Sequence, residues 1–308
     1  MQPENRYYRS IRLVRKTTTD VDEARGHQLY AAKLLSGRVR GQFTALQPLH
    51  IGTGLLVPPE QAGIQSDVPL VKSFHQIDGR LTIPGSSLKG PIRSLVEAMT
   101  YSCVSKTREF WSRSEKEDYG ECSYNSRQRR GSICRACQMF GAMGYEGHIY
   151  LNDAPQISGS TGAHFIPAQY QPTGHKERRY YPHSLQDPNE PQWPLEVALP
   201  GSIFHLDLQF QNLSAGELGL LLLALGQGTP PLCLKLGAGK NSGLGGVHFE
   251  ELVVEQLDPA ALYNAYGSET AWRAVDRENC LEKAVGLLRS DNVLAQLVAD
   301  LGCVHLDR

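Results

Sequence analysis

Three stretches of the chain alternate apolar and polar residues, the period-two pattern of a strand with one buried face. They are "GRVRGQFTALQPLHIG" (37–52), "GHIYLNDA" (147–154) and "SIFHLDLQFQNL" (202–213). Two others carry a helical period. Ile92, Leu95, Val96 and Met99 mark a helix over 86–102, which Ser86 or Ser87 can cap. "SAGELGLLLLALGQG" (214–228) is an apolar helix with Ser214 and Glu217 at capping-box spacing. Strands are expected again at "LCLKLG" (232–237) and "GVHFEELVVEQL" (246–257), either side of a glycine-rich loop. Residues 1–36 form a polar, basic lead-in with one strand at 10–14, and 259–301 look mostly helical. Two long stretches, Thr53–Leu81 and residues 155–200, hold many Pro and Gly, show little periodicity and read as loops.

Without those loops the order is strand, helix, strand, strand, helix, strand. That is the α+β, ferredoxin-like pattern, shared by the RRM module that binds RNA on its sheet. The order alone assigns no function, because the fold hosts many.

Composition adds two constraints. The 308 residues have a net charge of −1, so no global polyanion affinity is expected. Charge is uneven, however: residues 1–50 hold 9 Lys/Arg against 4 Asp/Glu, and residues 250–308 hold 5 against 11. A basic face for phosphates is compatible with that distribution. No segment has the roughly 20 apolar residues of a membrane span, and the N-terminus lacks an apolar signal core. A cytoplasmic location is expected, with no membrane partner. The seven cysteines are then thiols or metal ligands rather than disulfides.

Four of them, Cys103, Cys122, Cys134 and Cys137, lie in one polar stretch, the last two as a Cys-x-x-Cys pair. Such a set suits tetrahedral structural zinc, with His148 as an alternative to Cys103. Cys233, Cys280 and Cys303 sit in apolar or helical settings and read as core thiols.

Two glycine-containing stretches invite a phosphate reading. "LGAGKNSGLGG" (236–246) fails the Walker A pattern, which would put Gly at Leu234 and Ser or Thr at Asn241. It also fails the dinucleotide fingerprint at Ser242. What remains is Gly237, Gly239, Gly243, Gly245 and Gly246 around Lys240 and Asn241: either a ligand-free glycine hairpin or a loop whose N–H groups approach phosphate. "IPGSSLKGPIR" (83–93) begins a helix whose free N–H groups attract anions, with hydroxyls at Ser86 and Ser87 and cations at Lys89 and Arg93. Two such stretches without a nucleotide motif suggest a polymer of phosphates. A third, "AHFIPAQYQPTGHKERRYYPHS" (163–184), interleaves aromatics with Lys176, Arg178 and Arg179, which suits RNA or a protein neighbour.

Together these stretches resemble the RAMP superfamily, in particular the type III CRISPR effector backbone subunits of III-A or III-D-like kind. The matching motifs, in order, are "LHIGTG", "TIPGSSLKGPIRSLVE", "CRACQMFG" and "LGAGKNSGLGGV". The likeness covers roughly residues 37–253. It implies an N-terminal extension (1–36), an RRM-like domain (37–253) and a helical tail (254–308). Within the domain it implies a thumb loop (53–82), a zinc-stapled insertion (103–146) and a second insertion (155–200) like the central insertion of III-D-like members.

The resemblance further implies a prokaryotic ribonucleoprotein in antiviral defence. Its partners would be CRISPR guide RNA, target RNA, neighbouring RAMP subunits and the large signature subunit. The helix start and glycine loop would grip the guide. Asp67 resembles the aspartate that cleaving members need for metal-dependent (magnesium) endoribonuclease activity on target RNA. The alternatives are a turn residue in a non-cutting structural subunit, and a stand-alone guide-processing nuclease using His27 or His50.

Overall fold

The computed structural model describes residues 8–17, 20–65, 67–104, 112, 114, 118–125, 131–169, 177–184, 189–264 and 271–303. Strands are numbered in chain order. The first are β1 (Arg9–Arg12), β2 (Val21–Glu23), β3 (Leu35–Ala45), β4 (Gly52–Val57), β5 (Val71–Phe74), β6 (Gln76–Ile77) and β7 (Arg80–Ile83). Helix α1 (Gly85–Met99) follows, then β8 (Ser132–Cys134), α2 (Arg135–Phe140), β9 (Ile149–Leu151), β10 (Ala154–Ser158), β11 (Thr161–Ile166), β12 (Glu177–Tyr180), β13 (Trp193–Ala198) and β14 (Ile203–Leu213). The last part holds α3 (Ala215–Ala224), β15 (Leu234–Lys235), β16 (Gly246–Leu257), α4 (Pro259–Asn264), β17 (Trp272–Ala274), α5 (Arg277–Val285) and α6 (Val293–Leu301).

The central sheet runs β15-β16-β3-β14-β10-β7-β6, with β17 on the edge of β16 and β9 beside β14. Its middle strands alternate as the sequence predicts. Val39 and Phe43 of β3, Phe204, Leu206 and Leu208 of β14, and Val247 and Phe249 of β16 face inward, and all are buried. Register sets Phe43 opposite both Phe204 and Phe249. The ring centroids lie 5.5 and 5.0 Å apart, so these phenylalanines form the centre of the core. Helices α1 and α3 cover this face and touch each other. The start of α3 is a full capping box: Ser214 Oγ accepts the Glu217 N–H at 3.2 Å, and the Glu217 carboxylate accepts the Ser214 N–H at 2.8 Å.

The two stretches read as loops are strands. Residues from 53–82 and 155–200 form a second sheet, β11-β13-β5-β4, in which β13 runs parallel to β5. Leu195 pairs with Lys72 across more than a hundred residues. No turn joins such partners locally, and prolines punctuate the short strands, so no hairpin signature marks them.

β16 ends at Leu257, and the tail beyond it holds α4, α5 and α6, with one short strand, β17, paired to the end of β16. Helix α5 then packs closely on α3, where a Cβ at Gly219 would come within 2.0 Å of the Cys280 carbonyl oxygen. Cys233 and Cys303, read as core thiols, form a disulfide with Cα atoms 4.9 Å apart. A backbone bond from the Cys233 N–H to Leu301 O (2.8 Å) sits beside this link between cysteines 70 residues apart. Among the described residues, no helix is long and apolar enough to cross a membrane.

Candidate nucleic-acid interface and metal centre

The four cysteines of the polar stretch converge. All are buried, and their sulfurs lie within 4.8 Å of one another. Cys103 Sγ is 3.2 Å from Cys137 Sγ and 3.5 Å from Cys134 Sγ. Tetrahedral zinc–sulfur bonds of about 2.3 Å would place sulfurs about 3.8 Å apart, so the cage has the right size. Backbone N–H groups support it, that of Cys134 donating to Cys122 Sγ at 3.2 Å and that of Cys103 to Cys134 Sγ at 3.4 Å. Hydrogen bonds from Cys103, Cys122 and Cys137 hold the Cys134 thiol well below its ordinary pKa. His148 is not a ligand. Its ring stacks on His27 at 4.1 Å, and its Nε2 meets Tyr145 Oη at 2.7 Å.

The helix start is built differently from the sequence reading. Gly85 serves close packing rather than a turn, since a Cβ there would lie 2.1 Å from Leu151 O. Its N–H donates to the Asp153 carboxylate at 2.8 Å, so a protein anion already sits at this end of α1. Ser86 is exposed and Ser87 half-buried. Burial, reinforced by Arg93 beside it, lowers the Lys89 pKa.

Arg93 and Arg178 were expected among the phosphate contacts, but both guanidinium groups turn inward. They share the buried carboxylate of Glu97, Arg93 Nε at 2.7 Å and Arg178 Nη2 at 2.5 Å. An unpaired carboxylate in that position would be costly, and two guanidinium forks satisfy it. Lys176 lies outside the described residues.

The glycine loop is a tight knot packed on "LHIG". Gly237, Gly239, Gly243 and Gly245 have φ of +72°, +68°, +82° and +88°. The Ala238 N–H donates to His50 O (3.0 Å), and the Gly245 N–H to Pro48 O (2.9 Å). His50 is buried, its Nδ1 lies 2.6 Å from Glu196 O, and burial lowers its pKa. It is a joint between the two sheets rather than an exposed base. The Glu196 carboxylate in turn accepts the Phe74 N–H at 2.7 Å. Both His27 ring nitrogens have partners as well: Glu146 O at 2.9 Å and Tyr150 Oη at 3.3 Å.

Helix α1, the glycine loop and the second insertion meet at one small cleft of about 90 Å³. Pro91 and Ser94 of α1 line it, with Arg179 of β12 and Tyr181 just after it, Lys235 of β15 and Lys240 of the loop. Ser87, Pro91 and Ser94 share a helix face by their spacing. Lys235 is a residue the sequence reading missed. It ends β15, between the buried Leu234 and Leu236, and its Nζ donates to Lys240 O at 3.2 Å. Burial, then Lys240, push its pKa down to about 8. Asn241 lies in the short turn Lys240–Ser242, beside the cleft. Asp67 stands apart from these groups in the sequence of elements, exposed on a bend between residues 59–62 and β5.

A larger cavity of about 420 Å³ opens on the uncovered face of the central sheet. There the Arg38 guanidinium lies 3.8 Å over the Trp272 ring and pairs with Glu255 at 2.7 Å. The residues β14 presents on this face, His205, Asp207 and Gln209, are not the stacking aromatics of an RRM.

Comparison with known proteins places this arrangement. Among solved structures, a chain from the cryo-EM structure of the type III-B Cmr-beta bound to cognate target RNA is similar, at 16% identity and a TM-score of 0.40. The match covers 71% of this chain and 61% of that chain, less than two thirds of the latter. No curated protein matches. The model of the RAMP superfamily matches residues 42–248, from within β3 to within β16 and including all four cysteines and the glycine loop. With more than half of its length matched, the chain belongs to the RAMP superfamily.

Proposed function

We propose that this chain is a backbone subunit of a type III CRISPR effector complex that holds guide RNA. The observation that carries the reading is the cleft, where α1, the glycine loop and the second insertion bring Arg179, Lys235 and Lys240 together beside Tyr181. Clustered cations next to aromatic rings suit a single-stranded phosphate backbone with adjacent bases. The core reads as a ferredoxin-like unit, since β3, α1, β9 with β10, β14, α3 and β16 follow in that order and pair as β16-β3-β14-β10. Strands β4 and β5 from 53–82 and β11 and β13 from 155–200 form one β-rich thumb, and the four cysteines hold structural zinc that staples the polar insertion. Neighbouring RAMP subunits, the large signature subunit and target RNA complete the assembly in a prokaryotic cytoplasm.

In this reading Asp67 serves target cleavage. Asp67 would be the residue that holds magnesium, which would supply Lewis-acid chemistry at the target phosphate. Asp67→Ala is expected to assemble with guide and target normally and to abolish cutting of the target strand, read on a gel with labelled target. Undiminished cutting would leave a purely structural subunit. Replacing both Lys235 and Lys240 by Glu is expected to weaken guide binding and flatten its salt dependence. An unchanged slope would remove the cleft from the RNA path.

A further inference from the structure

The metal centre and the cleft are joined by a buried chain of charged side chains. Each arginine beside Glu97 also reaches the cysteine knuckle. Arg93 Nη1 donates to Gly141 O at 2.9 Å, and its Nη2 lies 3.6 Å from Cys137 Sγ. Arg178 Nη2 donates to Cys103 O at 3.3 Å. Lys16 Nζ approaches Cys122 Sγ at 3.9 Å. A divalent ion on four thiolates keeps two negative charges, and Glu97 adds a third; Arg93, Arg178 and Lys16 offset them.

The other end of this chain is strand β12, whose strand partner among the described residues is β1. Its alternate residues split between two tasks. Arg178 and Tyr180 point to α1, Arg178 onto Glu97 and Tyr180 Oη onto Ser94 O at 2.9 Å. Arg179 points away from them, its guanidinium 4.5 Å from the Tyr8 ring centre, and lines the cleft. The docking of β12 on α1 therefore fixes where Arg179 and Tyr181 stand.

We propose that Arg93, Glu97 and Arg178 are positioning residues through which the metal-loaded cysteine centre docks β12 and sets the wall of the RNA cleft. Metal and RNA then favour each other's binding, because coupling between two sites is reciprocal. The RNA half of this inference rests on the function proposed above; the docking half does not.

The test uses the full-length zinc-loaded protein, a colorimetric chelator and a short unstructured single-stranded RNA. RNA is expected to slow zinc release by roughly 5-fold or more in the wild type. Arg178→Leu is expected to retain zinc at wild-type stoichiometry, to lose that slowing, and to exchange the amide hydrogens of 177–180 faster. Glu97→Gln, which keeps the side-chain shape, is expected to do the same and serves where Arg178→Leu folds poorly. Equal slowing by RNA in wild type and variants would overturn the coupling, and so would its absence in an RNA-bound wild type. Unchanged exchange over 177–180 in both variants would overturn the docking itself. A wild type that binds no RNA would sink the proposed function, while amide exchange would still decide whether the relay docks β12.

Discussion

Lys235 is the cation that the strand pattern concealed. It occupies a strand position between Leu234 and Leu236, is 6% exposed, and has a pKa pushed down to about 8 by burial and by Lys240. Its charge is present below about 8 and lost above, so affinity for RNA is expected to fall as pH rises through about 8. Stability should move the other way. The unfolded chain binds the proton up to the ordinary lysine pKa, so the folded state gains stability as pH rises from about 8 toward 10.5. Titrating RNA affinity by fluorescence anisotropy across this window separates the two effects. Lys235→Met should abolish the decline and reduce the salt slope by roughly 0.7; a decline of the same size in Lys235→Met would contradict the assignment. Glycine positions offer a second test of the same loop. A Cβ at Gly237 meets His50 O at 2.1 Å, whereas at Gly239 the nearest atom is a Leu244 methyl at 3.0 Å. Both have positive φ, costing about 1–3 kcal/mol each for a non-glycine residue. Gly237→Ala should therefore lose clearly more stability in urea than Gly239→Ala, and equal losses would mean that the loop can move off "LHIG".

Elements with a buried face and a regular period were legible in the sequence: β3, β14, β16, α1, and α3 with its Ser214–Glu217 cap. So was the cysteine knuckle, because Cys-x-x-Cys is a local signal. The second sheet was not, since β5 and β13 find each other across the fold and neither shows a turn signature. The inward turn of Arg93 and Arg178 was equally hidden. Their shared partner Glu97 looks, in sequence, like any charge on an amphipathic helix, and only the fold brings Arg178 to it. The Cys233–Cys303 link escaped for the same reason, with 70 residues separating its halves. The knuckle's energetic role follows from its composition. In the proposed reading, zinc on the four cysteines would cross-link an insertion whose sequence is polar, a role that a larger core would otherwise fill. Removing zinc with a strong chelator should lower the thermal midpoint by about 10 °C. Cys134→Ser should reproduce much of that loss without chelator. A midpoint unchanged by chelation in a protein verified to have lost its metal would show the centre to be dispensable for the fold.

Helices α1 and α3 lie on one face of the central sheet, and β11-β13-β5-β4 make a second sheet. Buried polar joints hold these parts in place. His50 and Glu196 link the glycine loop to the second sheet, and Glu217 links the N-terminal segment and the knuckle to α3 through Arg25 and Arg135. The basic cleft lies where α1, the second insertion and the glycine loop meet, which is why stretches far apart in sequence read individually as weak phosphate signals and gain meaning only together. Sequencing the RNA that copurifies with the tagged full-length chain from its native host tests the central claim most directly. Guide RNAs derived from a CRISPR array, with a uniform repeat-derived end, are the predicted result. No RNA, or random cellular RNA, would contradict it.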